Sequence, residues 1–143
     1  MDTAKLSLEF TNDLAELENL SRNVENFCEV NGLARKNVFE LNLVIDEVFT
    51  NIVSYAFNDN KKHRIKIDIR IINKELMVRI EDDGAPFDPT TAVKTDMCCS
   101  IEDRKIGGIG LHLINRIMSS VFYKRKKDKN ILILKKCLKN NLS

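Results

Sequence analysis

At 143 residues, with 43% hydrophobic and 31% charged side chains, the chain is long enough for one domain with a proper core and needs no disulfide or metal staple. Lys and Arg nearly cancel Asp and Glu to leave +2, which gives no general push toward nucleic acid or an anionic membrane. The four cysteines form no C-x-x-C pair, His63 and His112 lie far apart, no apolar run reaches the length of a membrane span and the N-terminus lacks a signal-peptide pattern, so zinc is excluded and a cytoplasmic protein with reduced thiols is expected.

Leu6, Leu8 and Phe10 alternate with polar neighbours and predict a short strand. From Thr11-Asn12-Asp13 the period becomes helical: Leu14, Leu17, Leu20, Val24 and Phe27 form one apolar stripe, with capping residues in front and Asn31-Gly32 behind. A second helix is predicted from about Arg35 to Phe57, its stripe made of Leu41, Val44, Ile45, Val48, Ile52 and Tyr55. Glu47 and Asn51 are four apart and stand one above the other along a border of that stripe. A carboxylate and a carboxamide there fit a pocket wall, although by composition alone a solvated helix border is the commoner outcome. Asp46, almost opposite the stripe, reads as surface.

Beyond the Asn58-Asp59-Asn60 loop, Ile65, Ile67, Ile69 and Ile71 alternate with polar residues and predict a strand. With Asn73-Lys74 as a hairpin tip, Ile71 falls opposite Leu76, Ile69 opposite Val78 and Ile67 opposite Ile80, so both apolar rows share one face. Continuing the count puts Asp82 on that inward face. A carboxylate ending a buried row needs a partner, and a hydrogen-bond donor in an apolar pocket, such as the exocyclic amine of a purine, would satisfy it. Gly84 is then expected to let the backbone approach the ligand closely.

The stretch from Asp83 to Gly107 lacks clear periodicity and contains Pro86, Pro89 and Cys98-Cys99, and it reads as a lid over about 85–107. Gly107-Gly108-Ile109-Gly110 opens a third amphipathic helix through Leu111, Leu113, Ile114, Ile117 and Met118, whose free backbone N–H groups and dipole suit phosphate. The chain closes with strands at Val121-Phe122-Tyr123 and Ile131-Leu132-Ile133-Leu134, joined by the basic segment Lys124 to Asn130. That segment has no interleaved aromatics, and a solvated hairpin is its commoner reading over a nucleic-acid contact. No internal repeat or boundary appears, so residues 1–143 are read as a single domain, α+β, a two-layer sandwich with three helices over one face of a mainly antiparallel mixed sheet.

Phosphate-loop and dinucleotide fingerprints are absent: there is no G-x-x-x-x-G-K-[ST], and Gly108-x-Gly110 lacks a third glycine and a preceding strand. Glu47-x-x-x-Asn51 on a helix, Asp82-x-Gly84 at a strand end, a long lid and Gly108-x-Gly110 opening another helix are specific only in combination and in that order. In that order the chain resembles the ATP-binding domain shared by DNA gyrase, heat-shock chaperones of the ninety-kilodalton class, mismatch-repair ATPases and sensor histidine kinases. Within that superfamily it looks most like the small stand-alone serine/threonine kinases that act as bacterial anti-sigma factors. The resemblance runs from Leu6 to Leu138. Pro86 stands where many relatives carry a second glycine, and Asp82-x-Gly84-x-Pro86-Phe87-Asp88 is similar to the anti-sigma variant.

The resemblance implies a Bergerat-type fold, ATP and Mg²⁺ as cofactors, and these roles: Asp82 for the adenine amine, Asn51 for Mg²⁺, Gly84 at the base, Gly108 and Gly110 for the phosphates, and Glu47 to orient or deprotonate the attacking hydroxyl. Lys105 and Arg104 fit contacts to the terminal phosphate and exposed lid charges equally well. As implied partners it gives a sigma factor and an anti-anti-sigma (STAS-like) protein that is phosphorylated on serine, with the chain as a homodimer and no direct contact with nucleic acid or membrane. The alternative is an ATP-binding or ATP-hydrolysing module that gates a partner without kinase activity.

Overall fold

The computed structural model describes residues 3–86 and 108–138. Apart from Ala85 and Pro86, the expected lid, with Arg104 and Lys105, lies outside them. β1 (Thr3–Thr11) leads through a short 3₁₀ turn (Leu14–Glu16) into α1 (Leu17–Val30) and then α2 (Arg35–Asn51), which continues as a π turn (Ile52–Ala56). β2 (Arg64–Ile72) and β3 (Glu75–Asp82) follow, then α3 (Gly108–Ile117), β4 (Ser120–Lys126) and β5 (Lys129–Cys137). The strands lie in the order β1-β2-β3-β5-β4, and every described pairing is antiparallel, so the parallel element implied by "mixed" is not seen among these strands.

The β2–β3 register is the one the alternation predicts, with Ile71 opposite Leu76, Ile69 opposite Val78 and Ile67 opposite Ile80. Asn73, at φ 58°, supplies the left-handed turn residue that a two-residue hairpin asks for. Those isoleucines, with Leu134 and Phe10 from the flanking strands, meet Leu20, Leu41, Ile45 and Ile114 in a single core on the helix-covered face. Each fully buried aliphatic side chain contributes about 1.5–3 kcal/mol relative to exposure.

Three residues of the helical segments depart from the periodic reading. Leu14 is exposed because the Asp13 carboxylate caps the Ala15 N–H and starts a 3₁₀ turn, so the α-helical stripe begins only at Leu17. In α2 the buried set includes Phe49, whose ring meets Phe10 edge-on at 6.2 Å between centroids. Tyr55 is half-exposed, because the π turn takes more residues per revolution and rotates it out of the stripe. The basic segment is mostly strand: only Lys127 and Asp128, both at positive φ, form the turn between β4 and β5.

Two charged groups knit the helices to the sheet and to each other. Lys136, on the inward row of β5, pairs with Glu40 of α2 at 3.2 Å and donates to the Ile117 carbonyl at the end of α3, where a cation suits the helix dipole. Asp46 is not plain surface: it is half-buried and accepts from the Ser21 hydroxyl of α1 at 3.3 Å, and burial raises its pKa. Truncating Phe49 to alanine is expected to cost about 3–5 kcal/mol by removing a fully buried ring, with the loss read from denaturant unfolding.

Candidate functional site

The inward row of β3 ends in Asp82, which is 5% exposed, and the end of α2 stands over it. Between them lies a small pocket, part of it open to solvent, with room of about 40 Å³ inside its walls. Val48, Ile52, Ile80 and Leu132 make its walls apolar, and Asn51, Asp82 and Asn130 bring polar atoms to it.

The Asp82 carboxylate is held from one side. Its Oδ1 accepts from the Gly84 N–H at 2.8 Å and from Asn130 Nδ2 at 3.0 Å, and no described residue bonds to Oδ2. Burial raises the Asp82 pKa above its ordinary value, and the neighbouring Asp83 charge adds to this, while the bonds from Asn130 and Gly84 and the Arg125 charge oppose it. One oxygen is thus fixed in place and the other is left for a donor. Asn51, 8% exposed at the last turn of α2, contributes a second unmet group, since its buried Nδ2 has no partner among the described residues. Glu47, one turn earlier, is half-buried and does not line the pocket.

At Gly84 a Cβ would lie 2.5 Å from the Ala56 Cβ and 2.6 Å from its carbonyl oxygen, so the absent side chain admits the π turn. The next residue seals the contact, Ala85 N–H donating to the Ala56 carbonyl at 2.8 Å. Gly108 and Gly110 lie in the first turn of α3, at its N-terminal end.

Asn130 and Arg125 of the basic segment, and Tyr123 just before it, carry roles that the sequence does not announce. Asn130 Nδ2 also donates to the Ala85 carbonyl at 2.9 Å, while Asn130 Oδ1 accepts from the Tyr123 hydroxyl and from Arg125. Arg125 in turn donates to the Gly84 carbonyl at 2.7 Å. The β4–β5 hairpin thus clamps the Asp82–Ala85 turn by the backbone as well as by the carboxylate. The available signal was register: Asn130 faces Asp82 across β3–β5 and Arg125 across β4–β5.

A model of the histidine kinase-like ATPase domain matches residues 10–136. The chain is 36% identical over 96 residues to the serine/threonine-protein kinase BtrW of Bordetella bronchiseptica, covering 67% of this chain and 68% of that one. It is 31% identical over 94 residues to the serine-protein kinase RsbW of Listeria monocytogenes, a match that spans 63% of this chain but only 60% of that relative. It is 23% identical over 106 residues to the anti-sigma F factor of Clostridium novyi, covering 73% and 74%. Its fold is similar to that in the SiaB–SiaC complex from Pseudomonas aeruginosa, with a TM-score of 0.57 at 17% identity over 90% of this chain and 88% of that one.

Two substitutions probe the carboxylate and its turn. Asp82→Asn keeps the shape and removes a buried charge, so stability at neutral pH should hold or rise. The wild type should gain stability relative to this variant as pH falls through the raised Asp82 pKa, because the folded state binds a proton that the unfolded state does not yet hold; paired melting curves across the acidic range check this. Gly84→Ala should destabilise by about 1–3 kcal/mol, because backbone rather than a flexible side-chain end must give way; denaturant midpoints measure it.

Proposed function

Because the chain belongs to the histidine kinase-like ATPase domain family, we propose that it is an ATP-dependent serine/threonine protein kinase acting as an anti-sigma factor. It phosphorylates a serine on a small anti-anti-sigma partner and otherwise sequesters a sigma factor. The observation that carries this reading is the Asp82 carboxylate at the floor of an apolar pocket, held by described residues at Oδ1 alone, with the buried Asn51 Nδ2, unpartnered among the described residues, beside it. The names of the curated relatives, two protein kinases and an anti-sigma factor, support the activity and the partner class.

Asp82 Oδ2 accepts from the adenine amine, while the apolar walls take the ring faces. The Asn51 carboxamide fits a hard divalent cation, which needs an oxygen ligand and keeps waters and phosphate oxygens for the rest. Mg²⁺ so held would neutralise charge on the phosphates during transfer. The N–H groups of the first turn of α3, at Gly108 and Gly110, receive phosphate oxygens. Glu47, one turn before Asn51, orients and deprotonates the incoming serine hydroxyl. Lys105 is assigned to the terminal phosphate on the resemblance alone.

The assignments separate binding from chemistry. Asp82→Ala should lose a charge-assisted hydrogen bond of about 1.5–3 kcal/mol, roughly tenfold or more in affinity for ATP by calorimetry. Glu47→Ala should keep nucleotide and partner binding while phosphoryl transfer falls about 10²–10⁴-fold. In a radiolabelled-ATP assay with the small proteins that co-purify with the chain, label on a partner serine is the expected result. Free phosphate alone would replace the kinase by an ATPase that gates its partner.

A further inference from the structure

Asp83 follows the inward Asp82 and leaves the sheet, where His63 meets it. His63 Nδ1 lies 3.0 Å from Asp83 Oδ1, and Nε2 lies 2.9 Å from each oxygen of Asp59. Phe57 stacks on the ring at 4.2 Å with 11° between planes. The backbone beneath is fixed too: His63 N–H donates to Asn12 Oδ1 at 2.9 Å, and the His63 carbonyl accepts from Asn12 N–H at 3.0 Å. The imidazole therefore ties the segment after the π turn to the segment after β3. The Ala85–Ala56 hydrogen bond is a second tie between the same two segments, and Asp82 lies next to both.

Only an imidazolium can donate from both nitrogens to two carboxylates. A neutral ring carries one N–H, and its other nitrogen then turns a lone pair toward an anion. The contact with both oxygens of Asp59, which is also the main cause of the raised His63 pKa, keeps that proton on Nε2, so the Asp83 contact is the one lost. Partial burial opposes the rise and the Asp59 and Asp83 charges add to it; the same hydrogen bond lowers the Asp59 pKa. The cleft around the ring is also lined by Lys62, Arg64 and Lys66, by Glu9 of β1, by Glu81 of β3 and by Lys129 of β5. Glu9 pairs with Arg64 at 3.8 Å and Glu81 with Arg79 and Lys129, which leaves Asp59 and Asp83 as the carboxylates in contact with the imidazole. No described cluster here is a metal-ligand set.

We propose that His63 is a positioning residue for the nucleotide site, a proton-linked clip that holds the Asp82–Ala85 turn closed as an imidazolium and loosens it when the ring is neutral. The proposal rests on Asp82 being the adenine contact. The clip is complete below the ordinary histidine pKa and is lost as pH rises through the raised folded value. Deprotonation also unmasks the Asp83 charge beside Asp82, which acts against the ionised form of the adenine-binding carboxylate. Both effects weaken nucleotide binding as pH rises across neutrality.

Calorimetry with ATP and Mg²⁺ from about pH 5.5 to 8.5, on the wild type and on His63→Gln, tests this, and the ratio of the two dissociation constants cancels the titration of ATP itself. The wild type should bind tighter by roughly two- to fivefold at the acidic end, the span of an exposed ion pair, and the two should converge at the alkaline end. Asp83→Asn should also lose the acidic-end tightening, and because it carries no Asp83 charge beside Asp82 it should bind no more weakly than His63→Gln. A ratio independent of pH, with ATP bound throughout, overturns the linkage while leaving the nucleotide site standing. No binding of ATP at any pH overturns that site and the linkage with it. Ring resonances of His63 read the clip without nucleotide: its pKa should fall in Asp83→Asn, and an unchanged value sinks the clip itself.

Discussion

The fold is arranged around the cost of keeping one carboxylate out of water. Asp82 continues a row of buried aliphatic residues, and desolvation alone would drive it toward the neutral acid. Two donors hold Oδ1, one from the backbone two residues on and one from a side chain 48 residues away, and the turn that supplies the first is anchored by the strand hairpin that supplies the second. Among the described residues none bonds to Oδ2, which lies in surroundings where each bond counts for more than in water. The arrangement sacrifices some stability to keep a carboxylate buried with its orientation fixed.

How much of this was legible depended on how far apart the cooperating residues lie. The β2–β3 register and the inward Asp82 follow from a period of two and a short turn, which are local facts, and they came out as the alternation predicts. The helix count and the core face of α2 follow from a period of 3.6, but Tyr55 did not keep to it once the helix widened into a π turn. Nothing in Ile52-Val53-Ser54-Tyr55-Ala56 announces that widening, because its cause is tertiary: Ala56 packs on Gly84 and accepts from Ala85.

The same distance explains why the sequence shows neither the Gly84–Ala56 contact nor the role of Asn130. Gly84 looked like a residue kept small for a ligand, since a sequence shows that a side chain is absent but not what fills its place. Asn130 sat among lysines, and a polar residue in basic company reads as loop. Its burial becomes apparent only when β5 is laid beside β3 with Asn130 across from Asp82. The sparseness of His63 and His112 argues against zinc but is silent on carboxylates, of which one lies four residues before His63 and the other arrives from the end of β3.

The π turn has a further consequence for how the domain tolerates changes in chain length. A π turn is an α-helix carrying one surplus residue, and that surplus sits at the seam between Asn51 and the Ala56–Gly84 contact. Losing one residue between Ile52 and Ser54 would let the helix relax to its ordinary pitch with Asn51 undisturbed, yet it would shift Ala56 along and around the axis and disturb the abutment behind Asp82. Deletions here and in the Asn58–Asn60 loop are therefore unequal, although only a few positions separate them. One shortens a connection; the other rephases a joint between two parts of the pocket.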